Sequence, residues 1–276
     1  MNNKYSSLCE RKKKKYEFIA IILVYRNIDD LQECIESMIK NINSIKIIIV
    51  NAFYDDESNA NVKKIAVKTN CDFLEIENKG YSYGNNRGIQ LAVEKYDFEY
   101  AIIANPDTVV EKFNMNTINN EDVIAPKIIS ASRKNQNPMV VKQNRFAEYL
   151  IYKGLKINIK LLFIIGIIIS KLQRNLAINL KKGKKIFAAH GSFVFINKKV
   201  IDEINPLYDE NMFLFAEEGV LACKCESCGF ETVYNDEIVI NHKEDGSMKL
   251  ADFSINDELK KANIYFYENY VKKSSD

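Results

Sequence analysis

The sequence predicts an α/β fold in which a mostly parallel sheet carries helices on both faces. Short β-branched apolar runs recur between residues 18 and 104, and helical patterns separate them in units of about 30 residues. Polar clusters follow the ends of these runs at 51–58, 78–88 and 105–107. Because ligands of such sheets bind beyond the carboxyl ends of the strands, the clusters are expected to converge on one site.

Local periodicity predicts the elements of the first half. Continuous apolar runs predict buried strands at 18–24, 45–50, 73–76 and 100–104. Apolar residues at helical spacing predict helices over 31–39, 61–69 and 86–95. The glycine- and asparagine-rich stretch 78–88 is expected to be a loop, either an ordinary one or one that exposes backbone N–H groups to an anion.

The pattern changes after residue 130. The chain divides into a basic tail (1–17), a first α/β half (18–130), an inserted loop and apolar/basic segment (131–187) and a second half (188–276). The inserted segment is expected to be membrane-proximal or to lie on the acceptor side. In the second half we predict a strand and a helix that ends before Gly229, then extended chain and a Tyr-rich final helix. These elements cover 193–196, 217–228, 230–241 and 258–273.

The composition excludes several classes of protein. Apolar residues make up 47% and charged residues 28% of the 276 residues, so the chain can bury a core and is not disordered throughout. With 39 Lys and Arg against 37 Asp and Glu, no global attraction for nucleic acid is expected, and no nucleic-acid partner is predicted. Six unevenly spaced Cys do not resemble a disulfide scaffold, which favours a reducing cytoplasm.

A basic and apolar segment spans residues 153–185. Its centre, Leu161–Ile169, is a nine-residue apolar run, whereas about 20 residues are needed to cross a bilayer. Lysines and Arg174 flank it, and such charges attract anionic lipid. Two interpretations stay open: a core helix, or a segment that lies peripherally on a membrane surface at the inner face of the plasma membrane.

Two polar clusters could carry chemistry. Asn105-Pro106-Asp107 places a carboxylate after a buried strand, where it can bind a hard cation such as Mg²⁺ or simply form a turn. Glu217 and Glu218 follow an aromatic run, where one of them could be a general base in a partly buried pocket. The alternative is that both acids only stabilise the start of a helix.

The histidines and cysteines give a weaker signal. His190 and His242 can each add one metal ligand, which is too few for a histidine cage. Cys223, Cys225 and Cys228 lie at offsets that spread their thiols over different helix faces, so core packing is expected there rather than a zinc site.

Taken in order, these segments resemble the motifs of family 2 inverting glycosyltransferases, and most nearly those of rhamnosyltransferase-like enzymes of bacterial surface polysaccharide synthesis. The resemblance covers about residues 18–130 and 188–275. The matching segments are the first strand through Tyr25, Val50–Ser58, Asn78–Gly88, Asn105–Asp107, Asp209–Glu218 and His242 with Ser247.

The resemblance implies a GT-A fold, with a nucleotide-sugar-binding half (18–130) and an acceptor-binding half (188–276). It implies a UDP- or dTDP-hexose as the donor, Mg²⁺ or Mn²⁺ as the cofactor, and a hydroxyl of a glycan or lipid-linked acceptor that is glycosylated with inversion. Asp107 and His242 would hold the metal, and Glu218 would be the base, with Glu217 as the second candidate. Donor-binding positions would be Tyr25, Asn51, Asp56, Asn78, Gly80, Tyr81, Asn86 and Asn105.

Four positions depart from the family pattern. Asn51 and Val220 replace acidic residues, Glu218 replaces Asp, and Lys224 replaces Arg. The absence of the family's acidic residues at Asn51 and Val220 motivates an alternative function. In this alternative the chain is a catalytically silent partner that binds a nucleotide sugar within a polysaccharide-assembly complex at the membrane.

Overall fold

A computed structural model describes residues 13–26, 28–175, 180–244 and 254–272. Within these residues, nine strands form one sheet. In chain order they are β1 (Lys14–Val24), β2 (Ile45–Ala52), β3 (Asp72–Ile76), β4 (Tyr96–Ala104), β5 (Thr108–Lys112), β6 (Val123–Ser130), β7 (Lys184–Ile186), β8 (Phe193–Asn197) and β9 (Thr232–His242). Most of the predicted basic tail, and Ser247 of the last motif, lie outside the described residues.

The first half of the sheet is parallel, as predicted. The spatial order is β3-β2-β1-β4-β8-β6-β9-β5, with β7 paired to β9. Strand β1 pairs in parallel with β2 and β4, and β2 pairs in parallel with β3. Alternate residues of β1 face opposite layers, with Phe18, Ala20 and Ile22 in one apolar cluster and Ile19 and Ile21 in the other. This strand is therefore buried on both faces, which explains its continuous apolar run.

The second half of the sheet is mixed. Strand β8 is antiparallel to both β4 and β6, while β9 is parallel to β6 and antiparallel to β5. The register places Ala104 opposite Phe193 and Thr108 opposite His242. These antiparallel pairs bring the chain after residue 188 back to the edge where the parallel strands end.

Helices cover both faces of the sheet. They are α1 (Leu31–Asn41), α2 (Asp56–Lys68), α3 (Tyr81–Lys95), α4 (Arg145–Lys156), α5 (Lys160–Asn175), α6 (Lys198–Glu203), α7 (Glu217–Ser227) and α8 (Ile255–Phe266), with a 3₁₀ turn at Met115–Thr117 and a π-helical turn at Tyr267–Val271. Helices α1 and α2 pack on one face, and α3, α6 and α7 on the other. Helix α7 confirms the predicted span to within one residue, and Gly229 follows it with a φ of 76°.

The prediction of a loop over 78–88 was wrong for most of its length, because α3 begins at Tyr81. The glycines there are required by close packing of the helix on the sheet. A Cβ on Gly84 would lie 2.4 Å from Leu23, and one on Gly88 would lie 2.4 Å from Ile21. The first helical amide, that of Tyr81, donates to the carbonyl of Phe213 at 2.9 Å and is not open to an anion.

The start of α2 was also placed too late. The sequence predicts a helix from residue 61, but α2 begins at Asp56 because the side chain of Asp55 accepts from the backbone N–H of Ser58 at 2.7 Å. This N-cap satisfies one of the free amides at the start of the helix.

The inserted segment forms a helical hairpin of α4 and α5. Two glycines allow the helices to approach closely: a Cβ on Gly154 would lie 2.4 Å from the backbone nitrogen of Phe163, and one on Gly166 would lie 2.8 Å from the carbonyl oxygen of Ala147. Tyr152 of α4 stacks on Tyr267 with ring centroids 4.3 Å apart, which attaches the hairpin to the C-terminal helix. Among the described residues, none of the helices has the length and apolar character needed to span a bilayer.

Candidate functional site

A cavity of about 800 Å³ opens at the carboxyl edge of the parallel strands. Its polar end contains nine of the twelve site residues that the sequence predicts. They are Tyr25, Asn78, Gly80, Tyr81, Asn105, Asp107, Glu217, Glu218 and His242. The expected convergence of strand-end clusters is therefore seen for 78–88 and 105–107, whereas the cluster 51–58 reaches the cavity only through Ala52.

Three predicted donor-binding residues do not line this cavity. Asn51 is buried behind it and donates to the side chain of Asn59 at 3.0 Å. Asp56 is exposed in the first turn of α2, where a carboxylate favours the helix dipole. Asn86 bonds both to the backbone of Tyr208 and to the Glu210 carboxylate.

Asn86 therefore has a structural contact in place of the predicted donor contact. Its amide accepts from the Tyr208 N–H at 3.0 Å and donates to the Tyr208 carbonyl at 2.9 Å. These two bonds fasten α3 to the segment that leads into α7, so Asn86 supports the cavity wall from behind.

Asp107 and His242 form one polar corner of the cavity. The pairing of β5 with β9 brings them together, and a carboxylate oxygen of Asp107 lies 3.4 Å from Nε2 of His242. Nδ1 of His242 lies 2.8 Å from Oε1 of Gln136, and the amide of Lys243 donates to the Asp107 carbonyl at 3.0 Å. Both side chains are buried, so these contacts hold the pair in one orientation.

The corner fits a divalent cation that also binds substrate. One carboxylate and one imidazole are suitable ligands for Mn²⁺, whereas Mg²⁺ takes mostly oxygen ligands. Among the described residues, no cluster of three or more His, Cys, Asp or Glu side chains is arranged to hold a metal. An ion at this corner would need further ligands from water or from phosphate oxygens.

Glu217 and Glu218 form the second polar group of the cavity. Glu218 accepts from the backbone N–H of Gly191 at 3.2 Å, while Oε1 of the buried Glu217 has no hydrogen-bond partner. Burial raises the pKa of both carboxyls, and the neighbouring Glu218 helps raise the pKa of Glu217 to about 8. Because adjacent helix residues point about 100° apart, normally only one of the two would be expected to face the acceptor, but both line the cavity.

The peptide of Gly191 links the two polar groups. The Tyr81 hydroxyl donates to the Gly191 carbonyl at 2.9 Å, and the Gly191 amide donates to Glu218. On the other side, the Asn105 amide donates to the Ser192 carbonyl at 2.8 Å. Burial lowers the pKa of His190 to about 4, with a smaller effect from His242, whose ring centroid lies 5.7 Å away. Of residues 190–192, the sequence singles out only His190, as one possible metal ligand.

The other end of the cavity is apolar, and the residues that form it could not be named from the sequence. Its wall is formed by Ile151 of α4 and by Phe163 and Ile167 of α5, with Met139 and Leu259 nearby. Phe163 and Ile167 are four residues apart and share a helix face. The four-residue spacing can be read from the sequence. However, residues 161–169 are all apolar, so the pattern does not show which helix face lines the cavity.

The five cysteines within the described part of the chain are free. Cys225 is buried in the core, Cys223 is partly buried and Cys228 is exposed, as their helical offsets predict. Burial raises the pKa of Cys223 and Cys225 to about 12, so both are neutral thiols.

No protein-family model matches the chain. In sequence it is similar to the low-salt glycan biosynthesis hexosyltransferase Agl10 of Haloferax volcanii, with 22% identity over 224 residues. These cover 78% of this chain and 63% of the relative. The chain thus spans somewhat less than two thirds of that protein.

In fold the chain is similar to solved glycosyltransferase structures. GalNAc-T7, solved with UDP, GalNAc and Mn²⁺, aligns with a TM-score of 0.56 and 11% identity over 83% of this chain and 44% of that one. Residues 1–349 of S. aureus TarS, solved with UDP-GlcNAc, align with a TM-score of 0.53 and 14% identity over 88% of this chain and 63% of that one. The predicted GT-A fold is confirmed.

Proposed function

We propose that the chain is an inverting glycosyltransferase of family 2 that moves a hexose from a nucleotide diphosphate sugar to a hydroxyl of a glycan or lipid-linked acceptor. The observation that carries the proposal is that one cavity joins a buried Asp–His pair to two adjacent carboxylates, of which Glu217 is buried and Glu218 is partly buried. The sequence relative is a hexosyltransferase, and the two solved structures contain UDP or UDP-GlcNAc. These similarities favour UDP over dTDP as the nucleotide.

The donor would occupy the end of the cavity near Tyr25, Asn78 and Asn105. Tyr25 packs edge-on against Tyr54, with ring centroids 6.2 Å apart, and Arg26 stacks 3.5 Å from the Tyr54 ring centroid. This aromatic edge suits a nucleobase, which has a flat apolar face and a polar rim. A Mg²⁺ or Mn²⁺ ion held by Asp107 and His242 would neutralise charge on the diphosphate leaving group.

The carboxylate pair would supply the base. Two adjacent buried carboxyls resist joint ionisation, so the pair is expected to keep one proton near neutral pH and leave one carboxylate free. In the proposed reaction Glu218 removes the proton from the acceptor hydroxyl. The acceptor oxygen then bonds to the anomeric carbon from the face opposite the leaving nucleoside diphosphate, which inverts the configuration.

The acceptor would enter from the apolar end of the cavity. Ile151, Phe163 and Ile167 present no polar groups there, so this wall suits the hydrocarbon part of a lipid-linked glycan better than a free sugar. We place the protein in the cytoplasm, peripherally on the inner face of the plasma membrane.

A catalytically silent nucleotide-sugar-binding partner is the second candidate. Val220, where the family has an acidic residue, is fully buried in an apolar cluster with Phe266 and Ala262, so the acid could not be restored there without disrupting the packing. Asn51 likewise bonds inside the protein rather than in the cavity.

Two measurements test the proposal. The protein is first screened by thermal shift with UDP-, dTDP- and GDP-hexoses in the presence and absence of Mn²⁺. A ligand at 100 times its Kd should stabilise the protein by about 2.7 kcal/mol. Release of the nucleoside diphosphate from the best ligand is then followed with a lipid-linked acceptor. Turnover supports the enzyme, binding without turnover supports the silent partner, and no binding of any nucleotide sugar contradicts both.

A further inference from the structure

One face of α5 is apolar and exposed to solvent. Its residues recur at helical spacing and are 38–65% exposed: Leu161, Ile164, Ile165, Ile168 and Leu172. These five positions fall within about 100° of one another around the helix axis, so they form one continuous stripe, which we call the outer face of α5. Ile157 and Ile159, in the turn between α4 and α5, are also about half exposed and extend the apolar surface to the tip of the hairpin.

The outer face does not belong to the cavity. Phe163 and Ile167 line the cavity from the opposite side of the same helix, and Gly166 packs on that side against α4. The helix therefore has two apolar faces that point in opposite directions. Only the inner one contributes to packing and to the site.

The charges around the outer face indicate which kind of partner this surface can bind. Residues 142–175 contain seven basic side chains and one acidic side chain. Lys160 and Lys171 of α5 are exposed and lie along one border of the stripe. A second copy of the chain, placed on this face by a twofold axis, would set these positive charges against each other. An anionic bilayer would instead attract them while it received the apolar stripe.

We propose that the outer face of α5 binds the surface of an anionic lipid bilayer, with the helix lying parallel to the membrane plane and Lys160 and Lys171 at the headgroup level. Membrane binding by this face does not depend on the proposed function. If that function also holds, the same helix would place its inner face, and thus the apolar end of the cavity, beside the bilayer that contains a lipid-linked acceptor.

Vesicle flotation tests the surface directly. The 276-residue chain is mixed with vesicles of phosphatidylcholine alone or with about 30–40% phosphatidylglycerol, which gives about one negative charge per three lipids and a strongly anionic surface. The protein should float with the anionic vesicles only. Ile164→Gln/Ile168→Gln should lower the partition coefficient by about 10-fold or more, and Lys160→Gln/Lys171→Gln should lower it and flatten its dependence on salt.

Matched controls use apolar side chains outside the hairpin that are at least as exposed as Ile164 and Ile168. Ile39→Gln/Val67→Gln changes side chains that are 51% and 83% exposed on α1 and α2, and it should leave flotation unchanged. Far-UV circular dichroism and urea unfolding of each variant show that the fold is retained.

Three outcomes would overturn the proposal: no flotation with anionic vesicles, equal flotation of the Ile164→Gln/Ile168→Gln variant, or a dimer in solution that this variant converts to a monomer. The last outcome would make the outer face an interface between two copies. Because flotation needs no donor or acceptor, a protein that floats as expected but transfers no sugar would refute the proposed function and leave the membrane surface standing.

Discussion

The two ends of the cavity are built in different ways. The polar end is assembled from strand ends, and its side chains are held by hydrogen bonds that cross the sheet, such as those from Gly191 to Glu218 and from Lys243 to the Asp107 carbonyl. The apolar end is one wall of the α4–α5 hairpin. That hairpin is held together through Gly154 and Gly166, and it is fixed to the C-terminal helix through Tyr152 and Glu268.

This difference predicts how substitutions act. A changed side chain at the polar end should affect only its immediate neighbours, because backbone hydrogen bonds fix the surrounding strands. At the apolar end, the close packing of α4 on α5 sets the position of the wall, so a small increase in side-chain volume between the two helices displaces it. Changes at the polar end should therefore remove chemistry, and changes at the apolar end should alter acceptor binding and stability.

The largest effect is expected at Asp107. Asp107→Ala removes the buried carboxylate of the Asp–His corner and should lower metal-dependent transfer by about 10³-fold or more. Asp97→Ala is the matched control, since Asp97 is exposed near the opposite end of β4 and should leave transfer unchanged. Initial rates with Mn²⁺ measure both variants. Equal activity of Asp107→Ala and the wild type would exclude Asp107 as a metal ligand.

The acid pair should give the next effect. Glu218→Gln keeps the shape of the side chain and removes the base, so transfer should fall by about 10²-fold or more while donor affinity is retained. Glu217→Gln should keep transfer. It should also move the acid limb of the pH–rate profile to lower pH, because removing a neighbouring carboxylate lowers the pKa of the one that remains.

Single-turnover rates and donor titrations of the two variants separate the roles. If Glu217→Gln loses transfer and Glu218→Gln does not, the base is Glu217. If both variants keep transfer, the base lies outside this pair.

Tyr81 should have a smaller effect as a positioning residue. Tyr81→Phe removes the hydrogen bond to the Gly191 carbonyl, and the loosened peptide should weaken its bond to Glu218. Loss of one such bond should lower kcat by about 5- to 10-fold. It should also move the acid limb of the pH–rate profile to higher pH, because a weaker hydrogen bond to the Glu218 carboxylate raises its pKa. Donor affinity should stay unchanged. Tyr100→Phe, which loses an equivalent bond to the Glu121 carbonyl far from the cavity, controls for stability alone. A parallel change in both variants would assign Tyr81 a structural role only.

The apolar end is tested by Gly154→Ala. The new Cβ would lie 2.4 Å from the backbone nitrogen of Phe163, so α4 and α5 must separate. The overpacking should cost about 1–3 kcal/mol, part of which is recovered from the better helix propensity of alanine. Urea unfolding should show this loss, and kinetics should show a higher acceptor KM with unchanged donor affinity. A raised donor KM would mean that the two ends of the cavity are not independent.

The smallest effect is expected on the free energy of unfolding, which should depend on pH through the ionisation of Glu217. Its folded pKa of about 8 lies above the ordinary value of 4.5. The protonated carboxyl therefore contributes its full stability below about pH 4.5, and this contribution is lost as the pH rises through about 8. Glu217→Gln cannot ionise, so its melting temperature should exceed that of the wild type by a few degrees at pH 8 and converge with it near pH 4.5. A constant difference across this range would show that Glu217 is not buried as an acid.

The sequence alone determined the parallel half of the sheet and the place of the site. Apolar runs of strand length, separated by helices, leave few topologies open, and the carboxyl ends of parallel strands meet at one edge. For this reason the sequence could place Asp107 at that edge, since it follows a recognisable strand. Glu217 and Glu218 were selected by the aromatic run before them, and the roles of all three residues stay predictions.

Only the tertiary structure decided which polar and glycine residues serve the site and which serve the packing. Asn86 bonds to Tyr208, 122 positions away, and Gly80 admits the Phe213 backbone, which is distant in sequence. Local patterns cannot reveal such contacts, because a side chain satisfies its hydrogen bonds with whatever the fold brings near. The same holds for the two faces of α5. The sequence of a mostly apolar helix does not show which side faces a cavity and which side faces solvent.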